Sequence, residues 1–239
     1  MNAFLEVLGY GPDSWLEQLL NGLMVTIEIS IGGFLAGLLI GCVVALVKLE
    51  GPRWAVVIAN GYSTICRAVP EVLLIILLFY AGQEALRSLL EQLGFEEGGV
   101  AISGFAAAIV VLGLVQGAYA SEIIRGAIMS IPKGQIEAAR AFGINGFGLF
   151  TRIILPIMVP YALGGLTNLW MVMMKDSALI SIVGYNELLF TTKQAAGSTK
   201  YYFSFYLFAA MIYYSLTLLS NLLISTFERR IRRWMPAAN

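Results

Sequence analysis

Long apolar runs constrain this chain more than any other feature. Apolar residues fill 59% of its 239 positions and charged residues only 13%. The apolar residues gather in runs of about 20, the length that crosses roughly 30 Å of hydrocarbon as a helix. Five such spans are expected, at about 20–47, 55–81, 103–125, 157–182 and 203–227. The expected fold class is therefore an all-α integral membrane protein, and the length that would otherwise allow one or two soluble domains does not decide the matter.

The few charges are sorted by connector. Lys48 and Arg53 lie in connector 48–54; Lys133, Arg140 and Arg152 lie in connector 126–156, with Arg125 at its edge. Arg229, Arg230, Arg232 and Arg233 follow the last span, giving ten basic residues on that set of connectors. The alternate connectors hold three, Arg87, Lys193 and Lys200, and residues 1–19 carry Glu6, Asp13 and Glu17 with no Lys or Arg. By the positive-inside bias the amino terminus lies outside and the carboxyl terminus in the cytoplasm, as an odd number of spans requires. The expected organisation is an outer segment at 1–19, a transmembrane domain at 20–230 with a cytoplasmic loop at 126–156, and a tail at 231–239. Residues 1–19 have no basic start and no small-residue cleavage site, so an ordinary cleaved signal peptide is not expected. Net charge is zero, and no nucleic-acid partner is expected.

The sequence contains no His, which removes haem, imidazole-bound zinc and Ser–His catalysis. Cys42 and Cys66 fall inside spans and read as small packing residues, not a disulfide or a metal site. No GxxxxGK[ST] run is present, so the chain has no P-loop with which to cradle nucleotide phosphates.

The loop at 126–156 has an order of its own. Pro132 suits a first helical turn, residues 135–142 are good helix formers, and Gly143 suits a left-handed cap. Ile136, Ala139 and Phe142 form a narrow apolar stripe, while Glu137 and Arg140 lie on another face. Ala138 and Ala139 present little bulk to an approaching surface. Such a helix can rest under the bilayer or dock against another protein.

Ionisable residues within or at the ends of the spans are Glu28, Arg67, Glu71, Glu122, Lys175 and Asp176. Each costs roughly 2.5–3.5 kcal/mol at a helix centre unless it faces protein or water. Arg67 and Glu71, four apart, can pair on one helix face. Pro70 between them removes an N–H and crowds the Cys66 carbonyl, so a bend is expected there. Glu122 and Arg125 are three apart and can pair likewise. Lys175, Asp176, Ser177 and Ser181 are expected toward the outer half of span four, at the edge of a path or simply capping its end. Gly113 and Gly117 suit close approach of a neighbouring helix. The aromatics of 201–208 with Tyr213 and Tyr214 suit an outer-interface belt, and 83–97 reads as an amphipathic periplasmic helix with Leu86, Leu89, Leu90 and Leu93 on its apolar face. Asn60, Thr64, Thr167 and Asn168 read as polar links between helices.

Glu137-Ala138-Ala139, Gly143, then Ile153, Leu155 and Pro156 resemble, at every marked position, the cytoplasmic loop signature of ABC-importer permeases. RAVPEVLLIILLFY at 67–80, GAYASEIIRGAI at 117–128 and KDSALISIVG at 175–184 resemble spans of the polar amino-acid permease family, with Ala68 where Gly is usual. QAAGSTK and FERR resemble its basic-amino-acid and opine (histidine, arginine, octopine, nopaline) branch. The resemblance covers about 20–233. It implies a type I importer fold and a non-catalytic subunit of the bacterial inner membrane. Two copies of an ABC ATPase subunit would supply ATP and Mg, a second permease half, a different chain, would complete the pore, and a periplasmic amino-acid-binding protein would deliver substrate. It further implies that Glu137, Ala138, Ala139, Gly143, Ile153, Leu155 and Pro156 serve ATPase coupling. Arg67, Pro70, Glu71, Glu122, Lys175, Asp176, Ser177 and Ser181 are the candidate path or gate, with Glu71 favouring cationic substrates. Intramembrane carboxylates alone also fit a self-contained transporter or channel driven by a proton or sodium gradient.

Overall fold

The computed structural model describes residues 7–9, 14–92 and 103–232. Among them all regular structure is helical, and five helical stretches are long and apolar enough to cross a membrane. Helix α1 (Trp15–Glu50) opens with a Ser14 side chain accepting the Glu17 N–H, a cap that satisfies one free donor of the first turn. Helix α2 runs Arg53–Ala68 and α3 runs Glu71–Gln92. Helix α4 (Gly104–Met129) leads through a short turn to α5 (Lys133–Ala141). The one-turn α6 (Gly146–Leu149), a π-type turn (Phe150–Ile154), α7 (Leu155–Asp176) and a 3-10 turn (Ser177–Val183) follow one another without interruption. Helix α8 (Leu188–Thr199) and α9 (Tyr202–Arg232) complete the order.

Helix α4 is the hub. It packs against α1, α2, α3 and α7, and it is the most deeply buried of the five candidate spans. Its closest neighbour, α1, reaches it through glycines at four-residue spacing. A Cβ on Gly41 would meet the Ala120 Cβ at 2.5 Å and the Ser121 backbone N at 3.0 Å, and one on Gly37 would meet Gln116 at 3.1 Å. Gly113 and Gly117 face the same seam from α4, against Ala36 and Ile40. The expected close approach is therefore two-sided, which is how membrane helices gain dispersion contacts when hydrophobic driving force is absent.

Two packed clusters mark the ends of the bundle. Ala45, Ile128, Ile131, Ala139 and Leu149 gather the end of α1, the end of α4 and the loop helix at one end. Leu19, Leu188, Ala195 and Phe205 gather the start of α1, α8 and the start of α9 at the other, with Val7 and Leu8 against them.

Several elements differ from the sequence expectation. The second span is broken, not merely bent: α2 ends at Ala68, Val69 is extended (φ −89°, ψ 139°), and α3 starts after Pro70. The fourth helical stretch begins at Gly146, well before 157, and Pro156 within it has no N–H to give the Arg152 carbonyl. The chain shifts there to a π-type turn in which Leu155 N–H reaches Phe150 O. The stretch from 83 is not a separate helix but the continuation of α3 as far as Gln92. Its remainder, with Leu93, lies outside the described residues, as do most of the first segment and the end of the tail. Helix α8 was not anticipated inside connector 183–202.

Candidate functional site: docking helix and intramembrane cavity

The loop helix α5 stands at the end of the bundle with one face down. Ile136 and Ala139 pack on the Ala45–Ile128–Leu149 cluster, while Glu137, Ala138 and Arg140 face outward. Gly143 takes φ +77°, the left-handed cap expected of it, and its N–H bonds the Arg140 carbonyl at 2.9 Å. The expected apolar stripe does not hold through its third member. Phe142 falls just past the last turn and is 86% exposed, and Phe147 on α6 is 83% exposed. Ala139 likewise faces the bundle, so of the two alanines only Ala138 is open to an approaching surface. A groove of about 750 Å³ lies beside α5, lined by Glu50, Arg140 and Phe147 among others. The second half of the signature sits elsewhere in the architecture. Ile153 packs into the cluster from the π-type turn, and Leu155 and Pro156 open α7.

A second site lies in the middle of the bundle. Arg67, Glu71, Gln116, Tyr119, Glu122 and Asn168 help to line a cavity of about 340 Å³ between α2, α3, α4 and α7. Asp176 meets it: its Oδ2 accepts from Gln116 Nε2 at 2.6 Å. Gln116 is at the midpoint of α4, so Asp176 sits at mid-depth and not in the outer half. Lys175, next in chain, is exposed and lines a different pocket, with Tyr206 and Tyr213. Ser177 is buried and donates to the Met174 carbonyl, and Ser181 accepts the Gly184 N–H through its carbonyl. Those two serines are thus helix-end groups in the 3-10 turn, not part of the cavity lining. The break at Pro70 also separates Arg67 from Glu71, which end up on different helices around one cavity instead of paired along one face.

Glu122 is at the cavity's other end, and its charge is already met. Lys48 Nζ donates to Glu122 Oε1 at 2.6 Å and to Ser63 at 2.6 Å, with the Lys48 side chain only 2% exposed. Arg125 reaches Glu122 Oε2 at 2.9 Å, the pairing expected from their spacing. Tyr62 donates to the Leu114 carbonyl nearby. The Lys48 contact was not legible from sequence, because it spans 74 residues.

Glu187 is the other residue that sequence reasoning missed. Fully buried, it caps α8 by accepting the Leu189 and Phe190 N–H groups at 2.8 and 2.7 Å, and it accepts the hydroxyls of Tyr213 and Thr26 at 3.0 and 3.3 Å. Burial pushes its carboxyl above the ordinary glutamate range, against these hydrogen bonds. An acidic residue directly before the apolar run Leu188-Leu189-Phe190 is the signal that marks it. Tyr213 is correspondingly a half-buried partner of Glu187, and Phe205 is core; Tyr202, Phe203 and Tyr214 do project outward. Of the expected polar links, Thr167 bonds Glu228 at 3.0 Å, while Asn168 faces the cavity. Among the described residues no cluster of His, Cys, Asp or Glu is placed to hold a metal, and both cysteines are free.

Comparison with known proteins adds context to this geometry. Residues 16–233 match the model of the family described as binding-protein-dependent transport system inner membrane component. The octopine transport system permease protein OccQ of Rhizobium radiobacter is 38% identical over 230 residues, 96% of this chain and 97% of that one. The histidine/lysine/arginine/ornithine transport system permease protein HisQ of Escherichia coli (strain K12) is 39% identical over 89% of this chain and 92% of its own length. Among solved structures, a chain of an amino acid ABC transporter crystallised with histidines superposes with a TM-score of 0.73 at 30% identity, covering 90% of this chain and 95% of that one.

Proposed function

Because the chain belongs to the binding-protein-dependent transport system inner membrane component family, and is thus a multi-pass inner-membrane permease subunit of an ABC importer, we propose that it carries basic amino acids or opines inward through its central cavity. The ATPase partner that the family implies drives this step by gripping α5. The single observation that carries the coupling half of the reading is the exposed outer face of α5, seated on the bundle by Ile136 and Ala139 and closed by the Gly143 cap.

The mechanism follows as linkage. ATP favours closed ATPase subunits; these move α5 as a rigid body; and α5 rests on the ends of α1 and α4, so its displacement biases the bundle toward one opening. Glu137 makes the polar contact, and Phe142 and Phe147 give the apolar area that a partner cleft would bury. The chain itself catalyses no reaction, and ATP and Mg belong to two copies of the partner subunit. A second, different permease half covers the apolar faces of α3 and α9, the outer-face residues of which are largely exposed. A periplasmic binding protein delivers substrate to the side bearing α8. The charge bias supports α5 in the cytoplasm and α8 outside.

The substrate reading rests on the relatives, named for octopine and for histidine, lysine, arginine and ornithine, and on the cavity. Glu122 is neutralised by Lys48 and Arg125, which leaves the Glu71–Asp176 carboxyls to face a cationic side chain and Arg67 to face a carboxylate. A self-contained carrier driven by an ion gradient is displaced by family membership. The testing experiment is reconstitution of the co-purified complex in liposomes with and without the ATPase subunits. Arginine uptake that needs both ATP and those subunits is expected; uptake driven by a proton gradient without them would overturn the reading.

A further inference from the structure

Gln116 is 1% exposed, at the midpoint of α4, and its side chain is held at both ends. Helix α1 packs directly against its base, where a Cβ added to Gly37 would lie 3.1 Å from the Gln116 Cβ. At its tip, Nε2 donates to Asp176 Oδ2 at 2.6 Å. A carboxylate oxygen only accepts, so that contact turns the amide nitrogen toward Asp176 and fixes the carbonyl oxygen on the other side. Oε1 is the one buried side-chain polar atom without a hydrogen-bond partner among the described residues. Folded proteins rarely leave a buried acceptor unmatched. Gln116 also helps to line the cavity of about 340 Å³, with Arg67, Glu71, Tyr119 and Asn168. The missing donor is therefore sought in what enters that cavity.

We propose that Gln116 Oε1 accepts an N–H of the side-chain cation of the transported amino acid, a guanidinium or an ammonium, which makes Gln116 a specificity-determining residue. This rests on the reading of the cavity as the path of a basic amino acid, and deepens it by naming a neutral acceptor that selects for N–H groups. A carboxylate attracts any positive charge, over a distance and with little demand on direction. An amide oxygen rewards only a donor that is close and in line. The two act together here. Guanidinium and ammonium each carry several N–H donors, so either can meet Asp176 and the adjoining amide oxygen at once. An apolar side chain of similar length supplies no donor and leaves Oε1 buried and unmatched. That mismatch is how a polar site rejects an analogue lacking the bonding group. Because the amide is neutral, it adds this selection without adding a charge to the middle of the bundle.

The test measures binding to the purified complex in lipid nanodiscs without binding protein. Two ligands share a backbone: arginine, and norleucine, which keeps the α-ammonium and carboxylate but has no side-chain nitrogen. Norleucine is read by its competition against labelled arginine. Wild type should prefer arginine by at least about tenfold. Gln116→Leu should weaken arginine by about tenfold to a hundredfold and leave norleucine as it was, so that the preference collapses. Lysine should follow arginine. Gln116→Met, closer in shape to glutamine, carries the same comparison should the leucine variant fail to assemble.

A wild-type complex that binds norleucine as tightly as arginine would overturn the proposal without any variant. Equal losses for the two ligands would overturn it as well, by giving Gln116 a purely structural role or one toward the α-ammonium. Arginine affinity unchanged in the Gln116 variants would also overturn it, because water and not substrate would then be the partner of Oε1. In each of these cases the cavity stays the path of a basic amino acid. A wild-type complex that binds no arginine would instead overturn the cavity reading itself.

Discussion

Single residues carry charge into this bundle only where another residue meets it. The Lys48 side chain is almost fully buried and bridges Glu122 and Ser63, so removing it leaves Glu122 with Arg125 alone and opens a gap between α1, α2 and α4. Lys48→Ala should cost about 1–3 kcal/mol, read as a fall in thermal unfolding temperature in detergent. Arg125→Ala, taken from a more exposed partner of the same carboxylate, should cost much less. Glu187 sets a different expectation. Its folded-state carboxyl is raised by burial, so its favourable contribution is complete below the unfolded-state value and is lost as pH rises through the folded one. Against a Glu187→Gln control, which does not titrate, the advantage of the native residue should be greatest in acid and shrink toward neutral pH. A gap in unfolding temperature that widens with pH would contradict this.

At the scale of elements, the seam between α1 and α4 depends on glycines with no room to spare. Gly41→Val should prevent α1 from seating against Ala120 and Ser121 and sharply reduce the amount of folded protein in the membrane. Gly61→Ala, with nothing within 4 Å of the added methyl, should be tolerated; equal loss from both would argue against close packing as the cause. The comparison of sequence with structure divides along the same line. Pro132, Gly143 and the long apolar runs were legible because caps and span lengths are local properties. The Lys48–Glu122 contact, the Gln116–Asp176 hydrogen bond and the burial of Glu187 against Thr26 and Tyr213 were not, because each depends on partners brought together from distant parts of the chain. Pro70 shows the intermediate case. Its effect on the helix could be read, but not that the bend would become a full break placing Arg67 and Glu71 on separate helices.

For the whole molecule, the two end clusters gather α5 at one end of the bundle and α8 at the other, and from the charge bias we propose that the α5 end is cytoplasmic and the α8 end periplasmic. In a variant with Cys42 and Cys66 replaced, Lys193→Cys on α8 should react with a membrane-impermeant maleimide in spheroplasts, whereas Gly134→Cys on α5 should react only after the membrane is opened. The reverse pattern would invert the topology and with it the docking surface. The central claim is that force enters through α5, and uptake by the reconstituted complex carrying Glu137→Lys tests it most directly. The account predicts a permease that inserts and folds but loses ATP-driven arginine uptake and retention of the ATPase subunit. Wild-type uptake with Glu137→Lys in place would contradict it.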